Sequence, residues 1–132
     1  GKWSAQAAND YMATILPEYS EANGNMVELI ICNNDGMAEG AVSALQGAGY
    51  NTGDGKTIPV FGVDATDSAK QLINEGKMTG TIKQDAEGMA STILNLVSSV
   101  QGGGELMDNT SSFNVDEGVA KIRVPYATYT GE

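Results

Sequence analysis

The sequence predicts an α/β domain, a three-layer arrangement with a parallel sheet and helices on both faces. One observation is the alternation of segments with helical apolar spacing and short β-branched runs between residues 4 and 100, in the order helix, strand, helix, strand, helix, strand, helix. Alternation of this kind requires right-handed crossovers between parallel strands. A second is that two of the strands end in short polar clusters, Asn33-Asn34-Asp35 and Asp64-Ala65-Thr66. Open α/β sheets hold their ligands outside the carboxyl ends of the strands.

Each element has its own signal. Residues 4–16 read as a helix, with Ser4 as N-cap and Pro17 as a stop, followed by a polar loop over 18–25. Residues 27–32 form a nearly continuous apolar run broken only by Glu28, which predicts a buried parallel strand. A helix follows over 36–47. The stretch 47–56 is dense in Gly, Asn and Asp and reads as a surface loop before a strand over 58–63. The helix over 69–75 stops at Gly76, and 79–84 is the third strand. Over 86–100 the residues Met89, Ile93, Leu96, Val97 and Val100 form a helical apolar stripe ended by Gly102-Gly103-Gly104. From Glu105 the pattern turns extended, with segments 112–115 and 119–129 joined by the turn signal Asp116-Glu117-Gly118. This tail, 105–132, is expected to leave the main sheet or lie along its edge, and the whole chain, 1–132, reads as one domain.

Composition narrows the chemistry. Seven Lys plus Arg stand against seventeen Asp plus Glu, for a net charge of −10. Nucleic acid and anionic membranes bind clustered positive charge, so neither is an expected partner. The absence of histidine excludes imidazole acid–base work, Ser–His and Cys–His nucleophile pairs, and His-based metal sites. Neither a Walker sequence nor a dinucleotide fingerprint is present. Asp64 and Asp67 are a carboxylate pair spaced by three across a strand-to-helix turn, and they are not read as a glycosidase pair. No catalytic residue is assigned and no enzyme activity is expected. The single cysteine, Cys32, lies in an apolar run and reads as a small buried hydrophobe. No stretch approaches the length of a spanning helix.

Two polar strand ends facing one crevice suit a neutral, hydroxyl-rich small molecule. Asn34 offers an amide donor and acceptor to vicinal hydroxyls, and Asp64 can accept two hydroxyl protons in charge-assisted bonds. Both residues also suit plain capping of the helices that follow them. Trp3, the only tryptophan, lies just before a helix, where it could pack or present its ring to a crevice. Glu28 is anomalous, since a charge in an apolar run is costly unless it is paired, binds metal or faces water.

The chain resembles the carboxyl-terminal lobe of the periplasmic galactose/glucose-binding proteins, a family of type I sugar-binding proteins of ABC transporters. The resemblance is carried in order by Trp3-Ser4-Ala5-Gln6, Val27-Glu28-Leu29-Ile30-Ile31-Cys32-Asn33-Asn34-Asp35-Gly36-Met37-Ala38, Ile58-Pro59-Val60-Phe61-Gly62-Val63-Asp64-Ala65, Gly80-Thr81-Ile82-Lys83-Gln84-Asp85 and Ile122-Arg123-Val124-Pro125-Tyr126. It implies one lobe of a type I periplasmic binding protein fold, with the amino-terminal lobe and the first part of this lobe outside the sequence.

By the same resemblance Trp3 is the stacking plate against a sugar face, Asn34 and Asp64 hold hydroxyls, and Gln84 stands where the family more often has asparagine, near the hinge. Asn33 and Asp35 fall to capping and loop support. Glu28 corresponds to a glutamate that completes a calcium site whose other oxygens come from a loop earlier in the family's chain, so calcium is expected in the intact receptor only. One carboxylate cannot supply the six to eight oxygens that calcium takes.

The function implied is binding of a monosaccharide, glucose or galactose, for uptake through an ABC permease and for chemotaxis through a chemoreceptor. The location implied is the periplasm, or the cell surface as a lipoprotein in a Gram-positive bacterium. The isolated lobe is expected to bind poorly and to self-associate through its exposed interlobe face. The alternative is the effector-binding domain of a LacI-type repressor, which shares the fold. An upstream helix-turn-helix would decide for it, and these residues contain none.

Overall fold

In a computed structural model, residues 2–116 and 118–132 are described. They comprise helices α1 (Ala5–Ile15), α2 (Asp35–Gly47), α3 (Asp67–Asn74) and α4 (Ala86–Gln101), and strands β1 (Ile30–Ile31), β2 (Val60–Val63), β3 (Gly80–Lys83), β4 (Asn114–Val115), β5 (Ile122–Arg123) and β6 (Ala127–Tyr129). The chain divides into two compact units, residues 1–83 with 128–132, and residues 84–127.

The first unit is the parallel α/β layer that the alternation predicts. Its sheet has the order β1-β2-β3-β6, with β1, β2 and β3 parallel. The register pairs Ile30 with Val60, Phe61 with Gly80, and Gly62 with Thr81. Consecutive strands laid side by side in one direction put both right-handed crossover helices on the same face. Accordingly Val60 of β2, Val42 and Leu45 of α2, and Ala69 and Ile73 of α3 belong to one buried cluster, which Met12 and Leu16 extend from the α1 side. Helices α1 and α2 approach closely: a Cβ on Gly40 would lie 2.1 Å from the Ala5 carbonyl oxygen, and Asn9 donates to the Gly40 carbonyl at 3.2 Å.

The first strand differs from expectation. Only Ile30 and Ile31 of residues 27–32 pair as a strand, and Ile31 is 75% exposed. The apolar run predicts burial on both sides, but β1 lies at the edge of the sheet, and Ile31 alternates away from the face that α2 covers. Leu29 is exposed for the same lack of a covering layer.

The loop after α2 is fixed by Asn51. Fully buried, it donates to the Ile58 and Lys77 carbonyls and accepts the Ile58 N–H, which brings the loop back to the start of β2. At the end of α3, Gly76 has φ +69°, the left-handed conformation in which glycine ends helices at least cost. The tail contributes β6 beside β3, at the sheet edge, as one of the two expected outcomes for it.

The second unit contains α4 and the antiparallel pair β4–β5. Asp85 caps α4 by accepting the Gly88 N–H at 2.9 Å. The apolar stripe of α4 is correct in period but not in burial: Ile93 is 61% exposed, Val97 and Val100 are also exposed, and Thr92 is the buried residue of the helix. A period reports only that a face is apolar, not that the chain supplies something to cover it. The hairpin closes through Asp116 N–H to the Lys121 carbonyl and an Arg123–Asp116 ion pair, while Glu117 of the turn signal lies outside the described residues. No described helix is long and apolar enough to cross a membrane.

Candidate functional site

The carboxyl ends of β1 and β2 carry the two polar connections. After β1, Cys32 extends the ladder by donating to the Phe61 carbonyl at 2.8 Å, and burial pushes its thiol pKa up. Asn33 is exposed. Asn34 is the N-cap of α2, its backbone extended and its Oδ1 accepting the Met37 N–H at 2.8 Å. The cap engages the amide oxygen only, and the side-chain N–H₂ makes no hydrogen bond among the described residues.

The connection after β2 behaves differently. Asp64 and Ala65 both have positive φ, 120° and 56°, a region costly for residues with a Cβ, at of order 1–3 kcal/mol each. Three consecutive amides hold this corner in place. Asp64 N–H donates to the Ile82 carbonyl at 2.8 Å, Ala65 N–H to Thr81 Oγ1 at 3.3 Å, and Thr66 N–H to Asp35 Oδ2 at 2.8 Å. Thr81 in turn donates its hydroxyl to Asp35 Oδ1 at 2.5 Å. Thr66, not Asp64, caps α3, its Oγ1 accepting the Ala69 N–H. Capping therefore accounts for Asn34 and does not account for Asp64, which is exposed on the corner.

Asp35 is the residue that joins the two connections. It is the first residue of α2, fully buried, and both its oxygens accept hydrogen bonds. A buried carboxylate without a cation is tolerable here because it sits at a helix amino terminus and receives charge-assisted bonds. Room for it comes from Gly62, where a Cβ would meet Asp35 Oδ1 at 2.3 Å. The expected loop-support role of Asp35 is seen, but its partners Thr81 and Gly62 are residues the sequence reading passed over. A glycine inside an otherwise apolar strand is the available signal, since it marks close approach of another group.

Trp3 is 70% exposed with φ +57°, one residue before the Ser4 cap of α1, so it is not the packing residue that one reading allowed. Its neighbour Lys2 lines an apolar groove of about 490 Å³ with Ile31, Cys32 and Met37, which lays the chain before α1 against the β1–α2 connection. The connections that carry Asn34 and Asp64 are thus joined by the bond from Thr66 N–H to Asp35. Gln84 follows directly on Lys83, the last residue of β3, and belongs to the second unit, where it lines a cavity with Asp85, Arg123 and Tyr126. Glu28 is exposed, two residues before β1, and no group of three or more His, Cys, Asp or Glu able to hold a metal occurs among the described residues. Among the described residues Glu28 offers a single carboxylate, fewer oxygens than the six to eight that calcium takes.

A parallel α/β sheet whose strand ends present an amide and a carboxylate has the arrangement in which open α/β folds hold small ligands. Residues 1–105 match the profile of the periplasmic binding protein domain, and the chain belongs to that family. It is 34% identical over 126 residues to the D-galactose/methyl-galactoside binding periplasmic protein MglB of Haemophilus influenzae, covering 96% of this chain and 34% of that protein. Among solved structures it resembles a solute-binding protein of Bacillus halodurans with bound myo-inositol, at 28% identity and TM-score 0.67, covering 96% of this chain and 37% of that one. A periplasmic solute-binding protein of Actinobacillus succinogenes with bound D-allose gives 25% identity and TM-score 0.69, with coverage of 96% and 37%. The chain spans about a third of the length of the curated relatives it matches. The family and the matched relatives are periplasmic, in agreement with the expected location.

Proposed function

We propose that this chain is the carboxyl-terminal lobe of an ABC-transporter substrate-binding protein and takes a monosaccharide, galactose or glucose, at the carboxyl ends of β1, β2 and β3. The observation that supports the reading is the corner at Asp64, a residue on strained backbone that does not cap α3 and whose connection is bonded to the one that carries Asn34. Such backbone persists where the surroundings hold it and is concentrated at ligand sites.

In this reading Asp64 accepts two hydroxyl protons, the Asn34 N–H₂ donates to a vicinal oxygen, and the exposed Trp3 indole covers the apolar face of the ring. Gln84 adds a longer amide than the family's usual asparagine, which shifts preference among hexoses or toward a pentose. Galactose heads the list because the MglB relative, of which this chain matches a third, is named for it, while relatives named for allose and structures with bound myo-inositol define the competitors.

Function here is binding alone. A sugar held between this lobe and a second one stabilises a closed form by its differential affinity for that form. An ABC permease recognises the closed form, and a chemoreceptor is the second candidate partner. Calcium enters the proposal only for the intact receptor, in which Glu28 supplies one oxygen of a site completed elsewhere.

Isothermal calorimetry of the intact receptor against D-galactose, D-glucose, D-allose, D-ribose and myo-inositol tests the reading. Saturable binding of one or more of the monosaccharides is expected. Heat from none of them overturns it.

A further inference from the structure

The side chains of the buried pair Asp35 and Thr81 hydrogen-bond to the corner that carries Asp64 and to each other. Thr66 N–H and Thr81 Oγ1 reach the two oxygens of Asp35, and Ala65 N–H reaches Thr81 Oγ1. The residues involved come from α2, from β3 and from the β2–α3 connection, so no single element could hold the corner alone. Gly62 supports the same arrangement from β2, because it leaves Asp35 Oδ1 the space a side chain would take.

We propose that Asp35 and Thr81 are positioning residues that fix the direction of the Asp64 carboxylate and so set the affinity of the site without touching the ligand. The inference rests on the sugar-binding reading for its functional half. Its physical basis is that two consecutive positive-φ residues do not hold that conformation unaided, and here the amides after each of them are bonded to the pair. Asp35 also follows Asn34 directly, so the group that caps α2 and the group on the corner are registered to each other through one carboxylate. A loosened corner would let the backbone at Asp64 and Ala65 sample other conformations, and a ligand would then have to order it on binding.

The test uses Thr81→Val, which keeps the shape and removes the hydroxyl, Asp35→Asn, which keeps the shape and one acceptor, and Thr81→Ser, which restores the hydroxyl. In the 132-residue chain, amide hydrogen exchange at Ala65 and Thr66 is read against Ile30 and Cys32, whose bonds lie in the β1–β2 ladder. We expect exchange at the corner to quicken at least about tenfold relative to the ladder in Thr81→Val or Asp35→Asn, and Thr81→Ser to restore it. No selective change at the corner in either folded variant overturns the proposal. In the intact receptor, calorimetry with D-galactose should show about tenfold weaker binding in Thr81→Val and recovery in Thr81→Ser. Unchanged affinity with a loosened corner also overturns it. A wild-type receptor that binds no monosaccharide defeats the sugar reading instead, and the corner is then decided by exchange alone.

Discussion

Asp35 Oδ2 accepts the backbone N–H of Thr66 at 2.8 Å across a separation of 31 residues, so the first residue of α2 holds the N-cap of α3 in place. The two strand-end connections are one structure through this bond. Asp64 lies two residues before Thr66, on the same corner.

Removing the charge of Asp64 while keeping its shape should weaken sugar binding more than it weakens the fold. Charge-assisted hydrogen bonds contribute about 1.5–3 kcal/mol against about 1 for neutral ones, so Asp64→Asn should raise the D-galactose dissociation constant of the intact receptor about tenfold. Calorimetry checks it. A constant within about twofold of wild type would remove Asp64 from the site.

Gly62→Ala should destabilise the 132-residue chain, because the new methyl would stand 2.3 Å from Asp35 Oδ1 and 3.0 Å from Met78 Cε. Overpacking of a tight interior typically costs about 1–3 kcal/mol. Urea denaturation followed by circular dichroism should show a lower midpoint at unchanged slope. An unshifted midpoint would mean that Asp35 has room to move.

Acid should open the β4–β5 hairpin before it opens the sheet. The hydrogen bond from Arg123 Nε to Asp116 Oδ1, 2.7 Å long, together with the guanidinium charge, holds the Asp116 carboxyl below the ordinary carboxylate range. A depressed folded-state pKa gives a contribution that is present above the unfolded value of about 4 and is lost as pH falls through the folded value. Proton NMR across the Val115–Ile122 pair should follow this loss below about pH 4. Arg123→Ala should remove the pH dependence, and an identical acid transition in that variant would assign it to other carboxylates.

The 132-residue chain by itself should self-associate, as apolar side chains are exposed at Leu29, just before β1, at Ile31 of β1, and on α4 at Ile93, Leu94, Val97 and Val100. Exposed edge strands and contiguous apolar patches are sites of association. Light scattering over a tenfold concentration range should show a mass that rises with concentration. A strict monomer throughout would show that these faces do not pair.

Much of the fold is legible in local chemistry. Ser4, Asn34 and Asp85 are caps where short polar residues precede helical periods, and Gly76 stands where a helix ends. The loop over 47–56 and the three parallel strands likewise follow from residues close together in the chain. Asp64 is the instructive exception. It has the composition of a cap and sits where one is expected, but the chain turns through two more residues, and the cap passes to Thr66.

The sequence alone determined the order of helices and strands, the polar strand ends and the exclusion of imidazole chemistry, because these depend on residue type and on spacing within a few turns. Tertiary structure alone decided that β1 is an exposed edge, that the α4 stripe is exposed, and that a buried acid accepts a hydrogen bond from the connection carrying Asp64. Those outcomes depend on the register that sets Gly62 beside Thr81, and on which groups from distant parts of the chain arrive at one carboxylate. A hydrophobic period cannot encode such a meeting, since it records the polarity of a face and not the donors that reach it.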